Sequence, residues 1–494
     1  MNISGSIEHI KNKANAVFNK SSLFSVRELC ELVEAEIPKG LNPEDKFTYI
    51  APDFRMIIKD CLFLANYKNV DADAKKAINM GAKAYLTDHE IAGAPCVVVK
   101  DTNEAAYKIA KRLYARYEGT PAVVIAGSVG KTTTKYFLKK VFSEKYKTFC
   151  YENNANTIQF LSYLIQSMNK NMEFVVQEVD ERRTNNTKNC SKVLSPKVAI
   201  ITNMAESHIG DLGGQEGVNR SIAGIEEGLN DDGVVIINAD NANSLSVDFK
   251  HKVIKIAIYY ADADAVATNI HETEEGIAFD LTFDGETTAI TLPIHGRHNV
   301  YNAMMTFVAA KVIGLTSEEI LSGISKVENY GYRQNVWTSD KYLIYADCYN
   351  SSLTSAKAAL ECFSEIPAKN NGKKVAVLGD IAELEGFEQE TYSQIAKALD
   401  NTDIDVLVTY GKDSNMIADY VTKENCKKLH ASTSKELDTI IKKLAQDGCT
   451  SFLFKASRSM TLEKNMEHCF PDLYKQGMRS EKIRDLKWKI FGTK

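Results

Sequence analysis

One segment constrains the chain more than any other: Ala122-Val123-Val124-Ile125-Ala126 followed by Gly127-Ser128-Val129-Gly130-Lys131-Thr132-Thr133-Thr134. The five apolar residues read as a buried strand. The glycines let the backbone turn sharply with its amides facing inward, and a helix N-terminus behind such a loop adds partial positive charge. Together they make a place for phosphate. Lys131 would reach terminal phosphates, and the Thr132 hydroxyl would sit on Mg²⁺. Ile125 stands where the first glycine of GxxxxGK[ST] would be, so the loop is a shortened form. A plain glycine-rich turn that carries a lysine is the bland alternative. The motif alone leaves a ligase, a kinase, a GTPase and a transport ATPase open.

The surroundings of this loop predict an α/β chain of three domains, since 494 residues exceed one core. Short apolar runs at 174–177, 198–201 and 234–237 predict a mostly parallel sheet covered on both faces. Residues 270–292 alternate and contain Asp284-Gly285, which predicts an antiparallel hairpin, and 302–310 returns to helix. Runs at 343–345, 374–378, 406–409 and 452–454 alternate with helical segments, the pattern of a second, Rossmann-like unit. Upstream, 61–64 and 96–99 read as strands, and 72–80 as a helix closed by Gly81. Glu118-Gly119-Thr120-Pro121 punctuates the chain. The expected units are a substrate-recognition domain at 1–118, an ATP-binding core at 119–334 and a C-terminal domain at 335–494.

Composition narrows the classes. A net charge of −5 gives no general basic field, so nucleic acid is not the expected partner. No run approaches the roughly 20 apolar residues of a membrane span. The first residues lack a basic stretch followed by an apolar one, so no signal peptide is expected. Ten scattered cysteines without a CxxC pair fit reduced thiols and a cytoplasmic location, and argue against zinc.

The loop form GSxGKTTT resembles that of the Mur ligases, and further segments follow in the family's order. Glu178 closes a strand and resembles the family's magnesium-binding glutamate. Pro196-Lys197-Val198-Ala199-Ile200-Ile201-Thr202-Asn203, then His208, is similar to P-x-V-A-x-x-T-N-x-x-x-x-H, whose histidine lies beside a second metal. Gly296-Arg297-His298-Asn299-Val300-Tyr301-Asn302-Ala303 is similar to G-x-H-N-V-x-N-A. Gly331-Tyr332-Arg333, the stretch from Asp347 through Tyr349 and Asn350 to Ser355, Val377-Leu378-Gly379-Asp380, and Lys455-Ala456-Ser457-Arg458 resemble four C-terminal segments.

The resemblance implies ATP-driven joining of a carboxylate to an amine through an acyl phosphate, with ATP and Mg²⁺ as cofactors. The most similar branch adds D-alanyl-D-alanine to a UDP-N-acetylmuramoyl tripeptide. It implies Lys131, Glu178 and His208 as catalytic, and Thr132, Glu178 and His208 on the metal. Gly127, Ser128, Val129, Gly130, Lys131, Thr132, Thr133, Asn299, Asn302, Arg333 and Asp347 would hold ATP. Asn154, Asn156, Thr157, Tyr349, Asn350, Lys455 and Arg458 would meet the substrates. Asn299 could also serve as a helix cap. The partners implied are small molecules, a carboxylate, UDP-linked in this branch, and an amino acid or dipeptide; the chain itself is expected to be a monomer.

Three positions depart from the family pattern. Ile222 stands where the family often has a lysine that becomes carbamylated, and no lysine lies between Lys197 and Lys250. Gln159 replaces a glycine. Asp53-Phe54-Arg55 echoes D-S-R of the UDP-sugar pocket, but Lys68-Asn69-Val70-Asp71-Ala72-Asp73 stands where D-G-H would follow. The alternatives are a paralogue working on another carboxylate, a P-loop NTPase without ligation, and a non-catalytic binding module.

Overall fold

A computed structural model of the chain describes residues 23–64, 70–151, 155–183, 185–205, 212–273, 276–329, 332–382, 384 and 386–478. It is a mixed α/β protein with four sheets. β1 (Phe24–Ser25) and β2 (Lys46–Phe47) form a small ladder. β3 (Tyr49–Ala51), β4 (Cys61–Phe63), β5 (Ala82–Thr87) and β6 (Cys96–Val98) form a parallel sheet in that order. Its strands are joined in part by the predicted helix, here Val70–Asn79, and Gly81 follows with φ +109°.

The central sheet has nine strands in the order β15-β14-β13-β12-β11-β10-β7-β9-β8. These are β7 (Ala122–Ala126), β8 (Thr148–Cys150), β9 (Phe174–Glu178), β10 (Val198–Ile201), β11 (Val234–Asn238), β12 (Lys252–Ala257), β13 (Ala265–Glu272), β14 (Ile277–Phe283) and β15 (Glu286–Leu292). It is parallel from β8 to β13, and the hairpin then adds antiparallel strands. Asp284 and Gly285 both have positive φ, the requirement of a two-residue turn matched to strand twist.

Two cores explain why the strands read as unbroken apolar runs. Ala122, Val124 and Ala126 of β7 face one core, and Val123 and Ile125 face the other. The first core is closed by α1 (Val26–Val33), α2 (Thr102–Tyr114), α4 (Ile158–Ser167), α5 (Asn186–Leu194) and α6 (Gln215–Ala223). The second is closed by α3 (Lys131–Phe142), α7 (His298–Ile313) and α8 (Ser317–Ile324). With helices on both faces, neither side of the sheet needs polar residues.

The third large sheet runs β16-β17-β21-β18-β19-β20. It comprises β16 (Asn335–Thr338), β17 (Leu343–Ala346), β18 (Lys373–Gly379), β19 (Val406–Tyr410), β20 (Lys427–Ala431) and β21 (Cys449–Lys455). All pairs are parallel except β16 with β17. In the two large sheets, the strands announced neither by an apolar run nor by the predicted hairpin are β8, β12, β16 and β20. Three of these sit at a sheet edge, where one flank is open and the sequence carries polar residues. Among the described residues no helix is long and apolar enough to cross a membrane.

Candidate active site

β7 lies between β9 and β10, where the chain order changes direction. Ligands bind such sheets outside the carboxyl ends of the strands at this switch point. The loop 127–130 leaves β7 there, and α3 begins at Lys131. Gly130, at φ +87°, is the N-cap, and no side chain caps the helix. The first amides of α3 have no intrahelical acceptor and point to the site.

The loop is clamped by the residues that follow β10. Thr202 Oγ1 donates to Val129 O at 2.6 Å, and the amides of Ser128 and Val129 donate to the Asn203 carbonyl and Asn203 Oδ1, both at 3.0 Å. Gly127 has φ +131°, and a Cβ there would overlap Thr202 Oγ1 and lie 2.9 Å from Asn203 O. Gly127→Ala is therefore expected to cost about 2–4 kcal/mol through left-handed strain and overpacking, and to loosen nucleotide. Urea unfolding and a nucleotide titration check it; a neutral outcome on both would remove the close-approach argument.

Asn302 backs the same loop. Its Oδ1 accepts from Thr134 Oγ1 at 3.0 Å, and its Nδ2 donates to Asn299 Oδ1 at 3.0 Å. Asn299 does not cap α7: the cap position is Arg297, without a side-chain bond, and Asn299 Nδ2 instead donates to His295 O at 2.7 Å. The helix begins one residue before Asn299, so its amide points sideways into the structure. The pair ties α7 to α3 and lies buried beneath the loop.

Buried charge surrounds the loop. Glu178, at the end of β9, pairs with Lys135 of α3 at 3.1 Å, with side chains 2% and 1% exposed. Burial pushes the Glu178 carboxyl up, but Lys135, Arg333 and Lys131 outweigh it and hold it below its ordinary range. Lys131 Nζ donates to both Glu181 carboxylate oxygens, at 2.8 and 3.1 Å, and to the Gly127 carbonyl. Asn156 Nδ2 donates to Glu178 Oε1 at 3.3 Å, while Asn186 holds the Asn156–Ile158 backbone against Asp180. Thr157 precedes α4 with its hydroxyl buried and without a hydrogen-bond partner among the described residues.

The C-terminal sheet presents a second group at its strand ends. Asp347 follows β17, and Lys455 ends β21 beside it; they pair at 3.2 Å, both buried. Burial pushes the Asp347 carboxyl up, more than Lys455, His298 and Arg333 pull it down. Lys455 also donates to the Asn350 carbonyl, so it is engaged by the loop it carries. The Arg333 guanidinium lies 3.9 Å from the Tyr349 ring centroid and contributes to the charge around both Glu178 and Asp347. Arg458 sits farther out, 6.0 Å from Tyr349 and paired with Glu463 at 2.8 Å.

Asn154 and His208 lie outside the described residues. The hard oxygens of Thr132 and Glu178 suit Mg²⁺. Among the described residues no group of three or more His, Cys, Asp or Glu forms a ready cage. Sequence reading missed Lys135 and Glu181 as the partners of the two charged residues it chose. The signal for Lys135 was present, one helical turn beyond Lys131. Ile222 packs fully buried in the first core, and Gln159 donates to Asn103 Oδ1 at 2.7 Å, joining α4 to α2.

Residues 125–310 match the Mur ligase middle domain, and residues 333–458 match the Mur ligase glutamate ligase domain. The chain is 31% identical to the UDP-N-acetylmuramoyl-tripeptide–D-alanyl-D-alanine ligase of Bacillus subtilis, over 89% of this chain and 97% of that protein. Its counterpart in Escherichia coli is 28% identical over 84% and 92%. Among solved structures, MurF from Acinetobacter baumannii superposes with a TM-score of 0.77 at 24% identity, covering 92% of this chain and 99% of that one. MurF ligase from Thermotoga maritima in complex with ADP gives 0.72 at 19%, covering 87% and 98%. With both segments matched in order and almost the whole Bacillus protein spanned, the chain belongs to the Mur ligase family of ATP-dependent ligases.

Proposed function

We propose that this protein joins D-alanyl-D-alanine to a UDP-N-acetylmuramoyl tripeptide, forming an amide with release of ADP and phosphate. The observation that carries the reading is 31% identity across 97% of a relative so named, which takes in the N-terminal part as well as the catalytic segments. The three units at 1–118, 119–334 and 335–494 would divide the work between acid recognition, nucleotide binding and the incoming amine.

The residues suit the roles. The loop amides and Lys131 would gather the phosphates of ATP as the γ-phosphoryl passes to the substrate carboxylate. The dipeptide amine would attack the acyl phosphate carbonyl, expelling phosphate. Mg²⁺, held by Thr132 and Glu178, would offset the negative charge of the phosphates. Arg333, at the join between the central and C-terminal units, would add positive charge near Glu178. Closure over the acyl phosphate would exclude water. His208, Asn154, Asn299, Asn302, Asp347, Tyr349, Asn350, Lys455 and Arg458 keep the roles implied by family position.

A second reading is a Mur-type ligase for another carboxylate. The segment 68–73 that replaces D-G-H, and Ile222, favour it. One experiment separates them: Mg·ATP with UDP-N-acetylmuramoyl tripeptide and D-alanyl-D-alanine, followed by phosphate release and product mass. One phosphate per new amide is expected, and EDTA should stop both. Turnover only with other acids would leave the family intact and overturn the substrate; phosphate release without any amine would overturn ligation.

A further inference from the structure

Two buried lysine–carboxylate pairs stand together under the phosphate loop. Lys135 belongs to Glu178 and is almost wholly enclosed. Glu178 Oε2 has that ion pair and no hydrogen bond among the described residues. Lys131 belongs to Glu181, whose side chain is 1% exposed. The backbone of Glu181 is fixed, its carbonyl accepting from Ser221 Oγ of α6 at 2.6 Å. Neighbouring cations are committed: Arg182 pairs with Asp180 at 3.0 Å. A nucleotide in the loop needs Lys131 for its phosphates. Glu181 would then keep a buried negative charge beside further negative oxygens, which a low-dielectric site does not tolerate without a new cation.

We propose that Glu181 is a divalent-cation ligand of the nucleotide-bound state: Lys131 leaves its carboxylate for the phosphates, and the metal that accompanies the nucleotide takes the lysine's place. Without nucleotide the ammonium holds the cation's position, so metal and nucleotide binding are coupled through one side-chain movement. The inference rests on the reading that Mg·ATP occupies this loop, and adds to it a ligand beyond Thr132, Glu178 and His208.

The test uses the full chain, ADP and Mn²⁺, with bound Mn²⁺ followed by electron paramagnetic resonance. In Glu181→Gln, Mn²⁺ affinity in the presence of ADP should fall at least about tenfold. ADP affinity without metal should rise several-fold, since Lys131 is no longer held back. A purely structural glutamate would not move the two affinities in opposite directions. Unchanged Mn²⁺ affinity overturns the proposal, as does uptake of one proton by the wild type on binding ADP that is lost in Glu181→Gln, which would show that Glu181 is neutralised by a proton. If Glu181→Gln does not fold, Glu181→Asp retains the charge while withdrawing the carboxylate, and should weaken Mn²⁺ measurably; wild-type affinity there overturns the proposal. Failure of the wild-type chain to bind ADP and Mn²⁺ at all would instead overturn the ligase reading itself, and this proposal with it.

Discussion

Lys131→Ala is expected to lower kcat/KM for ATP-dependent product formation by on the order of 10³-fold, the scale of removing a positioned charge from developing oxyanions. Lys131 is the first residue of α3, directly behind the loop glycines, so its ammonium can reach terminal phosphates held by the loop once it leaves Glu181. The same change deprives the buried Glu181 of its counter-ion. Stability must therefore be measured beside rate. Lys131→Arg separates the two effects: it keeps a positive charge for Glu181, yet its planar fork does not reproduce a point charge on the phosphates. Arginine should preserve the unfolding midpoint while losing most of the rate. Turnover of Lys131→Ala near the wild-type value, with the fold intact, would sink the assignment.

Lys135→Met should be the most destabilising single change at the site, by about 3–5 kcal/mol, because it leaves Glu178 charged and buried without its ion-pair partner. Replacing both, Lys135→Met with Glu178→Leu, should recover most of that loss, since neither charge is then stranded. The pH dependence has a definite sign. Wild-type Glu178 titrates below its ordinary value of 4.5, so its contribution is complete above that value and is lost as pH falls through the lowered one. In Lys135→Met the carboxyl loses the largest of the attractions that lower it and titrates higher than in the wild type. The stability gap between the two proteins is thus full at neutral pH and closes on acidification. Denaturant midpoints for the metal-free, nucleotide-free proteins at several pH values would measure it. A gap that is constant with pH would mean that packing, not charge, is what Lys135 supplies.

The elements nearest the site were the most legible from sequence. β7, β9, β10 and β11 are enclosed on both faces, and burial writes itself into a chain as an unbroken apolar run. Edge strands β16 and β20 are partly solvated, and their sequences, Asn335-Val336-Trp337-Thr338 and Lys427-Lys428-Leu429-His430-Ala431, carry no such mark. Side-chain roles divided along the same line. The loop after β7 could be picked out because glycine spacing, lysine and threonine are a local pattern. Asn299 could not be assigned as cap or bridge, because the choice depends on where α7 starts and on what faces it, here His295 and Asn302.

By itself, then, the sequence determined the buried strands beside the site and the helices between them, the glycine-rich loop at the end of β7, and the family to which the chain belongs. Each of these is set by residues close together in the chain or by their order along it. Only the tertiary structure decided the charge pairing: Glu178 with Lys135, Glu181 with Lys131, and Asp347 with Lys455. These pairs join residues from different elements, and their strength comes from the loss of water around them. Burial of that kind belongs to the packed sheet and helices, and no local spacing encodes it.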